Sequence, residues 1–571
     1  MKENEKVDFN EKLEEVLATE DYYQPLVELL DDYRFEYKEV IQKLASAHNS
    51  GKLNVLEILN SPHFSNENIS RIRRYLGVIG LIEAPTKSVF ETSQNIQSKG
   101  EYCYIPISEF LGENKPRIVD AVEMLAKSPT KWEFFLRATL ISQSKISIEE
   151  SFQFALELTA HSSKKIQTEA ILALGYLKYS SNRDLLAKAL EHIHSLLEQN
   201  HADELARSCL QTINEICKKD SSLAANAAKS ITLCLLDESI MLLEEVSRIV
   251  WLDKEHLPTE WEVLFLSFFD KFSITDWQKT HTVDHALTAL LNRERSAEVI
   301  GLLEQKLIVS SDANFEITSF HDISRAIWES EYIDHEQLFT RWFYSGNHCL
   351  CQAASDIIFE HENSPSQVSK IEETKDYFYI ARKAVGWLFL KPKLATFYVL
   401  SVLENCDDSD FDKISELLFY PLLMNTPQAV EGVIKEHIAK LDKRKKKTKV
   451  LLNILKKNDA YHDVLKKASL NKELHPSTRH REAMGRKKYF ENEAMMKEVH
   501  KTSFLASLFG NNSKVLLYGN KSVFKQYDGN GESKRQVMPL STRSHSTEVP
   551  IFFSIDPAGL NRLINMFRYE G

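Results

Sequence analysis

The stretch from Ser163 to Lys178, SKKIQTEAILALGYLK, places Ile166, Ala170, Ala173, Leu174 and Leu177 at steps of four, three, one and three. On a helix these positions form one apolar stripe, with polar residues on the opposite face. The small residues on that stripe let a second helix approach closely. Gly175, inside the same segment, costs about 1 kcal/mol relative to alanine in a helix interior, which predicts that a neighbouring helix touches the backbone there.

The stripe recurs. Leu205, Cys209, Leu210, Ile213 and Ile216 stand 39 residues after Ile166, Ala170, Ile171, Leu174 and Leu177, and Leu242, Val246 and Val250 follow after another 37. Such a spacing accommodates two helices and two short turns, close to the range of about 40 to 47 residues for HEAT and armadillo units. The first copy resembles the second helix of a HEAT repeat. Ile166 matches the leading aliphatic, Ala170 and Ala173 the small residues, and Leu174-Gly175 with Leu177 the closing pattern. Gln167 stands where that family usually has arginine, and the match is specific only around residues 163–216. The resemblance implies a mainly α fold, an α-solenoid of antiparallel helix pairs that binds proteins or nucleic acids on its concave face.

The remaining pattern divides the chain into four parts. Residues 1–114 read as an irregular helical region or cap, in which Gly77 to Ile107, with the run Tyr102-Cys103-Tyr104-Ile105, is the least helical and reads as a connection or a strand pair. Residues 115–440 read as HEAT-like repeats, opened by Pro116 at a first helical turn and continued by a capping box from Ser147 to Glu150. Residues 441–503 form a basic helical segment. In residues 504–571, short strands at Lys514 to Tyr518, Ser522 to Tyr527, Gln536 to Leu540 and Val549 to Ile555 precede a helix capped by Asp556-Pro557. These predict a small α+β appendage docked on the end of the array.

Composition agrees with helices, since only 17 Gly and 15 Pro occur in 571 residues. No apolar run reaches the roughly 20 residues that span a bilayer, and the N-terminal MKENEKVDFNEKLEE lacks the apolar core of a secretory signal. We expect a cytoplasmic protein without a membrane partner, and the abundance of Lys, Asn and Ile suggests a bacterial source. Seven cysteines, an odd number and widely scattered, read as reduced thiols. The cluster His348-Cys349-Leu350-Cys351 falls short of the four ligands of a structural zinc site, so no metal or other cofactor is expected.

Charge changes the picture at one place. Residues 441–490 carry 16 Lys or Arg against 5 Asp or Glu, which leaves −22 on the remainder of a chain of net charge −11. Lys443, Arg444, Lys445, Lys446, Lys447 and Lys449, with Arg486, Lys487 and Lys488, are candidate contacts to a nucleic acid or an acidic partner. The alternative is a solvated helix face, because Val450, Leu451, Ile454, Val464 and Leu465 among them read as core positions.

No catalytic motif accompanies this pattern. Gly519-Asn520-Lys521-Ser522 lacks the Gly directly before Lys that a phosphate-binding loop needs. The expected function is a non-enzymatic scaffold or adaptor for a protein partner. The alternatives are nucleic-acid binding through residues 441–490 and a HEAT-like DNA glycosylase, against which the acidic body argues.

Overall fold

The computed structural model describes residues 9–19, 22–32, 37–60, 75–98, 100, 103–180, 182–199, 202–293, 295–309, 317–361, 366–369, 376–441, 446–471, 473, 475–502, 516–518, 521–527, 533–539 and 548–570. The fold is mainly α and divides into two compact units, 1–333 and 334–571.

In the first unit the helices stack in two rows. One row runs through Tyr104–Leu111, Leu136–Ser144, Lys164–Tyr176, Asp203–Lys219, Ile240–Leu252, Thr282–Leu291 and His321–Glu329, each packed on the next. Arg183–Gln199, Ala224–Cys234, Thr259–Asp270 and Ser296–Val309 form a second row behind it. This is the arrangement of a helical repeat. The stripes read from the sequence are its core: Ile166, Ala170, Ala173, Leu174, Leu177, Cys209, Leu210, Ile213, Ile216, Leu242, Val246 and Val250 are all fully buried. Large aromatics of the second row are fully buried, among them Trp261, Phe265 and Phe269, and the Trp261 indole donates to the Ala224 carbonyl of the preceding helix in that row at 3.0 Å.

Polar bonds between successive units repeat the period. Lys178 N donates to Ser144 Oγ across 34 residues, Thr212 Oγ1 to the Ile171 carbonyl across 41, and Asn214 Nδ2 to Asp253 Oδ2 across 39. Lysines complete helix ends in the same way. The last carbonyls of a helix have no partner within it, and here Lys219 donates to the carbonyls of Gly175 and Leu177, Lys271 to Leu235, and Lys306 to Asp270.

Ser147 caps its helix as expected by accepting from Glu150 N, but as a single N-cap bond and without the reciprocal half of a capping box, and Pro116 stands in the first turn after the N-cap Asn114. The strand pair expected before Ile107 is replaced by helices Thr86–Ser98 and Tyr104–Leu111. Of the run that suggested it, Tyr102 lies outside the described residues. Ile107, Phe110 and Leu111 supply a buried stripe at helical spacing, which a strand would throw to both faces.

In the second unit, Tyr377–Leu388 packs against His335–Ser345, Pro392–Asn405 and Asp408–Leu417. Three antiparallel strands, Leu516–Tyr518, Lys521–Tyr527 and Ser533–Pro539, form a meander. A separate α+β appendage over 504–571 is not supported, because the chain's last helix belongs to the helical body. Pro557–Tyr569 buries Leu560, Ile564 and Phe567 and packs on Tyr377–Leu388. Ahead of it, Glu548 accepts from the free N–H groups of Gln428 and Ala429, and Val549–Ile555, expected as a strand, ends in the helical turn Phe552–Ile555.

Candidate functional site

The outward edge of the first row carries a strip of paired polar groups. On Asp203–Lys219, Arg207, Gln211, Glu215 and Lys218 follow at steps of four, four and three, hence on one face. On the next helix, Glu245 is fully buried. Its Oε2 takes Arg207 Nε at 3.2 Å and Gln211 Nε2 at 2.6 Å, and its Oε1 takes Arg248 Nε at 2.9 Å. Burying a carboxylate is costly unless it is paired, and three donors, two of them cationic, make the site possible.

Pairing continues on both sides of this centre. Arg137 Nε lies 3.1 Å from Glu169 Oε2, and Lys218 Nζ lies 2.7 Å from both Glu215 Oε1 and Asp253 Oδ1. Further along, the carboxylate of Asp284 accepts from Asp322 N at 2.9 Å and Ile323 N at 2.8 Å, capping the helix of the following unit. Its neighbour His285 holds Asp322 Oδ2 at 2.5 Å from Nδ1, while Trp251 stacks on the imidazole at 4.4 Å and 21°. Arg325 closes this end, 3.1 Å from Asp322 Oδ1.

Two aromatics on the strip reach solvent, Tyr176 and Trp251, each 39% exposed. Burial, and then the charge of Glu215, raise the Tyr176 hydroxyl above its ordinary pKa, so it stays protonated and able to donate. Burial raises Glu169 in the same way, with Arg137 and Lys165 opposing. The surface is therefore internally paired and nearly charge-balanced, with Arg207 and Arg248 on Glu245 at its centre and Trp251 on His285 towards one end. Sequence reasoning missed it, because Glu245 in LLEEVSR reads as a solvated acid. The available signal was the separation of 38 residues between Arg207 and Glu245, one repeat length.

The sequence-derived basic residues separate into different roles. Lys443, Arg444 and Lys445 lie outside the described residues. Lys446 and Lys449 are exposed on Lys446–Ser469, but Lys447 turns inward and donates to the carbonyls of Leu403 at 2.7 Å and Glu404 at 3.1 Å. It is a helix cap. Arg486, Lys487 and Lys488 are exposed on the helix Thr478–Thr502, with Arg486 3.8 Å from Glu482. Leu451 and Ile454 are buried as their spacing suggested, whereas Val464 is 63% and Leu465 44% exposed.

His348, Cys349 and Cys351 do not converge. Cys351 is buried and donates to the Trp342 carbonyl, while Cys349 Sγ lies 3.3 Å from His348 Nε2 at the surface. Among the described residues no group of three or more His, Cys, Asp or Glu is arranged to hold a metal ion. A cleft of about 490 Å³ behind the first row, lined by Glu149, Gln153, Lys188 and His192 among others, is shallow and polar. In it His192 Nε2 is 2.7 Å from Thr159 Oγ1, a contact between adjacent units. Among the described residues no helix is long and apolar enough to cross a membrane.

No family model matches the chain. No curated protein matches it either. Among solved structures it is similar to the crystal structure of an engineered protein from the Northeast Structural Genomics Consortium, at 13% identity over 79% of this chain and 99% of that one, with a TM-score of 0.23. A likeness at that score carries no argument about fold or function.

Proposed function

We propose that this protein is a non-enzymatic adaptor built of HEAT-like helix pairs, and that the strip centred on Glu245 holds a segment of a protein partner. The observation that carries this reading is the fixing of Arg207 and Arg248 on one fully buried carboxylate, with Trp251 exposed on the helix that bears it and stacked on His285, and Tyr176 exposed at the end of the helix Lys164–Tyr176. Binding energy at protein interfaces concentrates in Trp, Tyr and Arg held in fixed geometry. The strip supplies those residue types with their orientations already set, which reduces the ordering cost of association. Its charges are largely matched within the chain, which suits a segment offering hydrogen bonds and apolar side chains over a polyanion. Glu245 is a poor general base, because its oxygens are occupied by Arg207, Gln211 and Arg248.

The test is affinity capture from the cells that make the protein, with and without nuclease, comparing wild type with Trp251→Ala/Arg248→Ala. A stoichiometric protein that survives nuclease and is lost with the double variant is the expected result. Capture of the same protein by both forms would remove the strip from the account.

A further inference from the structure

The basic segment is two regions with different jobs. Up to Asn458 the helix Lys446–Ser469 is anchored: Thr448, Leu451, Ile454, Leu455 and Asn458 are buried, and Lys457 pairs with Glu416 at 2.8 Å while lying 4.0 Å over the Phe419 ring. From residue 459 to 490 no described residue is buried. Every residue from Thr478 to Phe490 is exposed, and this stretch holds Arg479, Arg481, Arg486, Lys487 and Lys488 against the single acid Glu482. At its end Tyr489 and Phe490 are 66% and 63% exposed, their rings 5.9 Å apart and nearly perpendicular.

That combination restricts the ligand. At 100° per residue the five cations fall all round the helix, leaving no apolar stripe of the kind an interfacial membrane helix or a coiled-coil partner needs. Excess positive charge calls for a polyanion, and exposed rings beside the cations provide platforms on which bases stack.

We propose that Arg479 to Phe490 is a single-stranded nucleic-acid contact, with phosphates on the arginines and lysines and bases on Tyr489 and Phe490. This site is distinct from the strip centred on Glu245 and does not depend on it. The −22 carried outside residues 441–490 confines the contact to this arm, so only a few phosphates are neutralised. With about four contacts to a single strand, the affinity falls with a log–log salt slope of about −3.

The experiment uses the full chain and a fluorescein-labelled oligodeoxythymidine of roughly 20 nucleotides, followed by anisotropy. Binding is expected at about 50 mM NaCl and should weaken by more than tenfold at about 200 mM. Replacing Arg479, Arg481, Arg486, Lys487 and Lys488 by Gln should abolish it, and Tyr489→Ala/Phe490→Ala should weaken it by about tenfold or more. The control Lys115→Gln/Lys188→Gln, on exposed lysines of the first unit, should change nothing. Absence of binding at low salt, or binding that survives the five-residue neutralisation, overturns the proposal. An unaffected aromatic variant overturns it as a single-strand contact, as does capture by phosphatidylserine vesicles with none by the oligonucleotide.

Discussion

A β-carbon added at Gly175 would stand 3.1 Å from the Cα of Thr212, one repeat later in the chain. Thr212 approaches this closely because its hydroxyl donates to the Ile171 carbonyl at 2.8 Å, one turn before the glycine. The helices Lys164–Tyr176 and Asp203–Lys219 are thus in backbone contact. Gly175→Ala gains about 1 kcal/mol of helix propensity but must push the Thr212 backbone away, at a typical overpacking cost of about 1–3 kcal/mol. We expect Gly175→Ala to lower the melting temperature slightly and Gly175→Leu to lower it by several degrees. A stabilised Gly175→Leu protein would show that the contact is looser than described.

Glu245 is the second test. Removing one partner of a buried ion pair typically costs about 3–5 kcal/mol, and the lower end applies here because Arg207 and Arg248 reach water. Glu245→Ala is expected to lose about 3 kcal/mol in chemical denaturation, and Glu245→Gln less because it keeps the shape. An unchanged denaturation midpoint for Glu245→Ala would falsify the role given to this carboxylate.

Lys383 tests the seat of the last helix. It is fully buried, its Nζ donates to the Arg568 carbonyl at 2.9 Å and to that of Glu570, and burial pushes its pKa down. Beside it, Arg568 Nε donates to the Gly386 carbonyl at 2.7 Å, and a side chain at Gly386 would meet the Arg568 and Phe567 backbone at 3.0–3.1 Å. Lys383→Met and Gly386→Val should each release Pro557–Tyr569, read as faster hydrogen exchange in that peptide and cleavage by trypsin after Arg568. Undiminished protection in both variants would mean that the apolar contacts of Leu560, Ile564 and Phe567 suffice.

Two histidines set a pH dependence. Thr159 Oγ1 donates to the Leu156 carbonyl at 2.7 Å, which leaves it to accept from His192 Nε2 at 2.7 Å. Burial lowers His192 below its ordinary 6.5, and burial lowers His437 against the opposing charge of Glu404. Each folded pKa lies below its unfolded value, so the unfolded chain binds the proton more readily. The stability the two groups allow is complete above about pH 6.5 and declines as pH falls through their folded values. Melting temperatures at about pH 7.5 and about pH 5.5 should therefore differ less in His192→Gln/His437→Gln than in wild type. An equal acid loss in both proteins would exclude this origin.

The stacked helices were legible because their cause is local. Ile166, Ala170 and Leu174 announce a buried face through spacing alone, and Gly175 announced its neighbour through an otherwise unexplained cost. The strip was hidden for the opposite reason. Arg207, Glu245 and Asp253 have ordinary local surroundings and acquire meaning only when residues about one repeat apart are placed side by side. Lys447 shows the same limit within the basic segment, since nothing in a run of lysines says which of them turns back onto a helix end. The last helix read correctly as amphipathic and capped. Its seat on Tyr377–Leu388 depends on Gly386 and Lys383, more than 180 residues away in sequence.

The lysine caps give the first unit a direction. Lys219, Lys271 and Lys306 each complete the end of a helix that precedes them by 36 to 44 residues. Cutting units from the beginning of the row frees a lysine, which water accommodates. Cutting them from the end removes the lysine from carbonyls at a helix end, which then turn to water. The two truncations therefore leave different groups at the new end of the array, a lysine in one case and helix-end carbonyls in the other.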